Sequence, residues 1–152
     1  MKYNSVAQDK AKIILHQMGA KVKSLHGIQT YVHFYLENNV ELYYMYNMTK
    51  NKDFYLQRIK PYPHGAGEFP SEEEIVEYIR NDLLRFSNAS KSSVYDLFIE
   101  NSNKLNDLVQ SIEMLFLENN VPLEKMKEIT TLLEEVDGKI ITLLKNTPKI
   151  KP

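Results

Sequence analysis

The sequence contains no cysteine and no tryptophan, and it has no long apolar run. Without cysteine, a disulfide scaffold, a thiolate zinc site and a cysteine nucleophile are all excluded. The longest wholly apolar run covers residues 42–46, far below the ~20 residues needed to span a membrane. Near the N-terminus, Asp9, Lys10 and Lys12 interrupt any apolar stretch, so no signal peptide is predicted. We therefore expect a cytoplasmic protein.

The chain has 152 residues, of which 43% are hydrophobic and 26% charged, and its formal net charge is −1. This length suits one domain, or a small domain with an appended element, and allows a substantial core. Charge is unevenly distributed, since residues 1–60 sum to +5 and residues 61–152 to −6. A basic front half is typical of an anion-seeking surface. Two oppositely charged surfaces facing each other within one protein or one dimer would give the same pattern.

The first 60 residues predict a helix followed by a sheet. Apolar residues recur at helical spacing over residues 4–18, and Gly19 supplies a stop. Residues 21–25 form a possible short strand. Residues 28–37, 40–47 and 54–60 are rich in β-branched and aromatic residues and predict strands. Asn38 and Asn39 predict a two-residue hairpin turn, because asparagine tolerates the positive φ that such a turn requires.

A break and a capped helix follow the predicted sheet. Residues 61–70 contain three prolines and two glycines, which cannot continue a ladder or a helix. Ser71 and Glu74 have the spacing of a capping box. The helix that they begin is predicted to bury a stripe formed by Ile75, Ile79, Leu83 and Phe86.

The last third predicts two helices joined by a short connection, and therefore an antiparallel coiled-coil-like hairpin. Apolar positions alternate at spacings of three and four, and Asn101 interrupts this pattern. Asn101 either selects the register or oligomeric state of the paired helices, or it marks a helix end that frays. More apolar residues lie beside this seam than two helices can cover, so a third partner is needed, either in the same chain or in a second copy. The candidate oligomerisation seam comprises Phe98, Asn101, Leu105, Leu108, Ile112, Leu115, Ile129, Leu133, Val136 and Ile140.

The predicted two-residue turn divides the hairpin strands into two faces. Val32, Phe34, Leu36, Tyr43 and Met45 fall on the predicted core side. The opposite face is predicted to carry tyrosines and a histidine, which can stack nucleobases, hold a ligand or bind a protein. These tyrosines would instead be half-buried if the C-terminal helices covered them. The candidate binding face comprises Tyr31, His33, Tyr35, Tyr44 and Tyr46.

Other chemistry is sparse in the sequence. The four histidines lack metal-ligand spacing, and no calcium loop, metalloprotease motif or nucleophile elbow occurs. The loop at residues 61–68 resembles a phosphate-binding loop in its glycines, but Glu72 to Glu74 would repel an anion there. His64 is a candidate general base if a carboxylate lies near it. We expect no enzyme activity, no cofactor and no metal.

The predicted fold class is α+β: an N-terminal helix, an antiparallel β-meander of 3–4 strands, a covering helix and a C-terminal antiparallel helical hairpin. Residues 1–88 are predicted to form the α-β-β-β-α domain and residues 92–147 the hairpin. The leading hypothesis is a non-enzymatic interaction or regulatory protein that forms a homodimer and binds another protein. The alternative is a small nucleic-acid-binding factor that uses the tyrosine face with Lys21, Lys23, Lys50, Lys52 and Arg58. A ligand-binding or enzymatic role centred on His33 or His64 is the third possibility.

Overall fold

The computed structural model describes residues 13–14, 17–18 and 29–149. Within them the chain is α+β, with a four-stranded antiparallel sheet followed by three helices. The predicted helix at residues 4–18 and the possible strand at residues 21–25 lie largely or wholly outside the described residues. None of the described helices is long and apolar enough to cross a membrane.

The sheet is a meander with strand order β1-β2-β3-β4. Its strands are β1 (Gln29–Tyr35), β2 (Glu41–Met48), β3 (Phe54–Lys60) and β4 (His64–Phe69). The prediction that residues 61–70 contain no regular structure is wrong for β4. The prolines stand outside this strand, and β4 lies at the end of the strand order, so it pairs with β3 alone. Gly67, at φ 105°, supplies a backbone conformation that other residues rarely adopt.

Between β1 and β2, the paired residues Leu36 and Val40 enclose a turn of three residues, Glu37–Asn39, so the predicted two-residue turn is wrong. Asn38 and Asn39 do adopt positive φ, at 62° and 58°. The turn is closed by the amide of Leu36, which donates to the carbonyl of Val40 at 2.8 Å. Tyr35 therefore pairs with Glu41 rather than with Leu42. A slip of one residue exchanges the two faces of a strand, so the predicted side assignments in β2 are reversed.

A β-bulge in β3 separates two cations onto opposite faces of the sheet. Tyr44 pairs with Arg58, whereas the preceding Tyr43 pairs with Lys60, so Ile59 has no partner on β2. The extra residue turns Lys60 away from the side that Arg58 faces. Arg58 consequently points into the core, and Lys60 joins the outer face beside Tyr43.

Helix α1 (Glu72–Ala89) covers the inner face of the sheet. The amide of Glu74 donates to the Ser71 side chain at 3.3 Å, which confirms the predicted cap. Three of the four predicted stripe residues are buried, and Leu83 is partly buried. The core of buried apolar residues comprises Val40, Leu42, Tyr44, Leu56, Ile75, Ile79 and Phe86.

Helices α2 (Tyr95–Glu118) and α3 (Leu123–Asn146) follow, each 24 residues long. Tyr95 and Ile99, in the first two turns of α2, pack against the core. Neither α2 nor α3 contains a buried residue, in contrast to α1. The C-terminal third of the chain is therefore helical as predicted, but most of its apolar surface is in contact with solvent.

Candidate functional site

The predicted tyrosine face is divided between the two sides of the sheet. Tyr31, His33 and Tyr35 are exposed on the outer side, as predicted. The assignment of Tyr44 and Tyr46 to the same face is wrong, because the three-residue turn shifts the register by one. Tyr44 is completely buried on the inner side, and Tyr46 packs against the core.

Tyr43 takes their place on the outer face and completes an aromatic cluster there. The ring of His33 lies 3.9 Å from that of Tyr43 and 4.4 Å from that of Tyr35, measured between centroids. Tyr31 meets Tyr43 edge to face at 5.6 Å. We call Tyr31, His33, Tyr35 and Tyr43 the outer aromatic face. Its rings are arranged to receive a planar group or an apolar side chain.

One cation lies directly on the outer aromatic face. The ammonium of Lys60 stands 4.7 Å from the centroid of Tyr43 and 2.9 Å from the carboxylate of Glu41. Glu41 holds the pKa of Lys60 above its ordinary value, and the hydrogen bond from Lys60 lowers the pKa of Glu41. Glu41 thus offsets the charge that Lys60 brings to this surface. The outer aromatic face is consequently not strongly basic.

The basic residues named for nucleic-acid binding do not assemble on this face. Lys50 and Lys52 lie in the exposed connection between β2 and β3. Arg58 points to the opposite side and is buried, so its inclusion in a basic surface is wrong. Lys21 and Lys23 lie outside the described residues.

The inner side holds a polar cluster that connects the sheet to α1. Nη1 of Arg58 donates to Oδ2 of Asp82 at 2.7 Å, and the hydroxyl of Tyr44 donates to the same oxygen at 2.9 Å. Arg58 is 5% exposed and Asp82 7% exposed. Buried charges are costly unless they are paired, and each charge here compensates the other. The pair therefore determines which face of α1 meets β3.

Aromatic rings enclose the guanidinium of Arg58. Its central carbon lies 4.6 Å from the centroid of Tyr62 and 4.7 Å from that of Phe86, so cation–π contacts add to the ion pair. Phe98 of α2 reaches the same rings, with its centroid 5.7 Å from that of Tyr62. The packing of Phe98 against the domain places this predicted seam residue at the junction of α2 with the sheet.

Three tyrosines near this junction are held in their neutral form. Burial, and then the charge of Asp82, raises the pKa of Tyr44 far above its ordinary value. The same two causes raise the pKa of Tyr78, and burial raises that of Tyr95. Of these three hydroxyls, that of Tyr44 donates a described hydrogen bond, to Asp82.

The remaining predicted seam residues are distributed along the two helices. Ile112, Leu115 and Ile129, near the connection between the helices, are half-buried. Toward the other end the seam is exposed, and further apolar residues beside it are more exposed still. Asn101 is exposed too. The exposed seam residues are Leu105, Leu108, Leu133, Val136 and Ile140.

The histidines show no catalytic arrangement among the described residues. His33 contacts aromatic rings, and His64 is exposed at the start of β4. His64 lines the same cleft as Asp82, but the hydrogen bonds described for Asp82 come from Tyr44 and Arg58. In residues 29–149 we find no group of three or more His, Asp or Glu side chains that could hold a metal ion.

The Arg58–Asp82 pair was missed by the sequence reasoning, although one signal for it was present. Asp82 lies three residues after Ile79 and four before Phe86, on the buried stripe of α1. A charged residue on such a stripe calls for a buried partner.

Comparison with protein-family models, curated proteins and solved structures finds no match to this chain. Its function is therefore inferred from the chemistry of its own surfaces.

Proposed function

We propose that this is a non-enzymatic, cytoplasmic protein–protein interaction or regulatory protein that assembles as a homodimer. In this proposal, residues 92–147 are the assembly element of the domain formed by residues 1–88. The observation that carries the proposal is the absence of any buried residue in α2 and α3. Two helices of this length that leave most of their large apolar side chains exposed require a further partner.

The amount of exposed apolar surface supports assembly. Large apolar side chains such as Val109, Leu132 and Leu144 are 67%, 61% and 76% exposed. Burying one such side chain fully contributes about 1.5–3 kcal/mol. Monomeric proteins rarely expose apolar patches larger than a few hundred Å². The hairpin carries more than a dozen such residues, so a protein partner is a better account than a solvated monomer.

A second copy is the partner that the helices fit best. Both helices have 24 residues and would pair along their whole length, about 36 Å at 1.5 Å per residue, in a four-helix bundle. Helix α2 has five acidic residues and one lysine, and α3 has five acidic residues and four lysines, so α3 is much closer to neutral than α2. A two-fold axis that sets α2 against the α3 of the second copy therefore avoids placing the strongly acidic α2 against another α2, and it brings the lysines of α3 to that helix. The outer aromatic face would remain available to a different protein.

The test is the molar mass of the full chain by light scattering over a range of concentrations. We expect twice the 17.8 kDa of one chain. The double variant Leu132→Glu with Leu144→Glu places charges beside the seam, where a monomer tolerates them and a bundle does not. We expect this variant to have the mass of one chain and to retain the circular dichroism of the unaltered protein.

Thr131→Glu with Thr142→Glu is the matched control, because it adds the same two charges on α3 at exposed positions on the side away from the seam. We expect it to remain dimeric. A full chain that is monomeric at every concentration would contradict the proposal. A dimer that persists in the double variant would show that assembly uses another surface.

Nucleic-acid binding is the second candidate, and the outer aromatic face favours it. Successive bases stack on aromatic side chains, and Lys60 supplies a cation at the same surface. Tyr35, at 70% exposure, is the most accessible ring. We expect Tyr35→Ala to weaken binding of a labelled single-stranded oligonucleotide, and binding to fall steeply with added salt. Absence of binding at low salt would eliminate this candidate.

A further inference from the structure

A cleft of about 310 Å³ opens where α1, the β3–β4 connection and the start of α2 meet. This volume is at the lower end of the range for small-molecule sites, and is too small for a folded partner. The cleft is lined by Arg58, Tyr62, Tyr78, Asp82, Arg85 and Phe98, among others. It is distinct from the outer aromatic face and from the seam between α2 and α3.

The buried cation of this cleft has donors without partners. Nε of Arg58 is shielded from solvent and makes no hydrogen bond among the described residues. The one described hydrogen bond of this guanidinium is that from Nη1 to Asp82. A guanidinium carries five donor hydrogens in a fixed plane, which match the oxygens of a carboxylate. A buried donor that lacks a hydrogen-bond acceptor within the protein indicates that a bound molecule supplies one.

The charge of the cleft selects an anion. Arg58 and Asp82 neutralise each other, so Arg85 leaves the lining with an excess of one positive charge. Arg85 is exposed on α1, at the mouth of the cleft. An anion that enters the cleft thus meets Arg85 first and then the spare donors of Arg58.

The walls of the cleft favour a ligand in which a flat apolar group is attached to the anionic group. Tyr62 and Phe98 stand at 89° to each other with centroids 5.7 Å apart, and the Phe98 side chain is partly exposed. Aromatic rings prefer edge-to-face or offset neighbours, and an entering ring can meet both walls in that way. Phe86 and Ala89 add further apolar surface.

We propose that this cleft binds a small aromatic monocarboxylate. The carboxylate pairs with Arg85 and the free donors of Arg58, and the ring lies against Tyr62 and Phe98. The site belongs to residues 58–98 and does not depend on dimerisation of the hairpin.

The experiment titrates the full-length protein with benzoate and with phenylacetate, following ¹H–¹⁵N amide shifts and affinity. Benzamide tests the need for charge, and inorganic phosphate tests the need for the ring. We expect shifts confined to the elements that line the cleft, namely α1, the end of β3, the β3–β4 connection, the start of β4 and the start of α2. We expect an affinity for one of the two carboxylates about tenfold above that for benzamide and for phosphate.

Two variants locate the binding. Arg85→Gln removes the mouth charge, and Ala89→Leu fills the cleft without altering charge; we expect each to weaken carboxylate binding about tenfold. Arg80→Gln is the control, because Arg80 lies on the same helix but pairs with Glu77 on the surface.

Three results would overturn the proposal. If neither benzoate nor phenylacetate shifts the amide resonances of the cleft residues, the cleft does not bind aromatic carboxylates. Equal binding of benzoate and phosphate, unaffected by Ala89→Leu, would indicate an adventitious ion only. Equal binding of benzamide and benzoate would show that the arginines do not select an anion.

Discussion

The guanidinium of Arg58 on β3 and the carboxylate of Asp82 on α1 form an ion pair 2.7 Å long, with side-chain exposures of 4% and 9%. The two residues stand 24 positions apart in the sequence. Their pairing connects the sheet to the helix at the centre of the small apolar core. The two charges are mutually dependent, because either one alone would be buried without compensation.

Asp82→Ala is expected to lower the free energy of unfolding by about 3–5 kcal/mol, because it leaves Arg58 charged and unpaired. Urea denaturation followed by circular dichroism measures the change. Glu77→Ala breaks the surface pair with Arg80 on the same helix and should leave the midpoint nearly unchanged. Equal midpoints for the two variants would contradict the structural role of the pair.

Tyr44→Phe should destabilise the protein at neutral pH by about 1.5–3 kcal/mol, since it removes a buried hydrogen bond to a charged carboxylate. At alkaline pH the difference should shrink. The folded protein holds the pKa of Tyr44 above the ordinary 10.0, so the unfolded chain loses its proton first. The stabilisation that protonated Tyr44 contributes is therefore fully present below about pH 10, and it is lost as the pH rises further. Urea denaturation at several alkaline pH values should give a shallower decline for the variant than for the unaltered protein.

Asn39 provides a test of the three-residue turn. Because its φ is 58°, Asn39→Ala should cost up to about 1–2 kcal/mol, since alanine lacks the short polar side chain that lets asparagine adopt the left-handed region. Asn39→Gly fits the same backbone without that penalty and serves as the matched control. If Asn39→Ala has a higher melting temperature than Asn39→Gly, the positive φ of this turn is wrong.

Dimerisation through the hairpin predicts a melting temperature that depends on protein concentration. Association stabilises the folded state by mass action, so the melting temperature should rise as the protein is concentrated. The Leu132→Glu, Leu144→Glu double variant should melt at one temperature regardless of concentration. A concentration-independent melting temperature for both proteins would argue against self-association.

Local patterns in the sequence predicted much of the fold. The strand Phe54–Lys60 and the helix capped by Ser71 follow from alternation, propensity and capping, which act over a few residues. The predicted faces of β2 were wrong, because Glu37 joins the turn and a single added residue reverses every side chain that follows. Strand β4 was missed because glycine, common in turns, is also tolerated in a strand that pairs on one side.

The candidate site was less accessible to prediction, because it depends on contacts distant in sequence. Asp82 was visible on the stripe of α1, but its partner could not be identified without the register of β3. The bulge at Ile59 has no signature in the sequence, and it decides that Arg58 faces inward and Lys60 outward. The cleft beside Arg58 then follows from three elements that meet only in the folded chain.

The same bulge gives two neighbouring cations different structural constraints. Substitution of Arg58 is constrained by the core, whereas Lys60 belongs to a surface that can change its partner without disturbing the fold. Ile59 makes this separation possible because it has no partner on β2: regular pairing of Ile59 with Tyr43 would return Lys60 to the interior side of the strand. One end of β3 thus carries, two positions apart, a cation that the fold requires and a cation that is available to a partner.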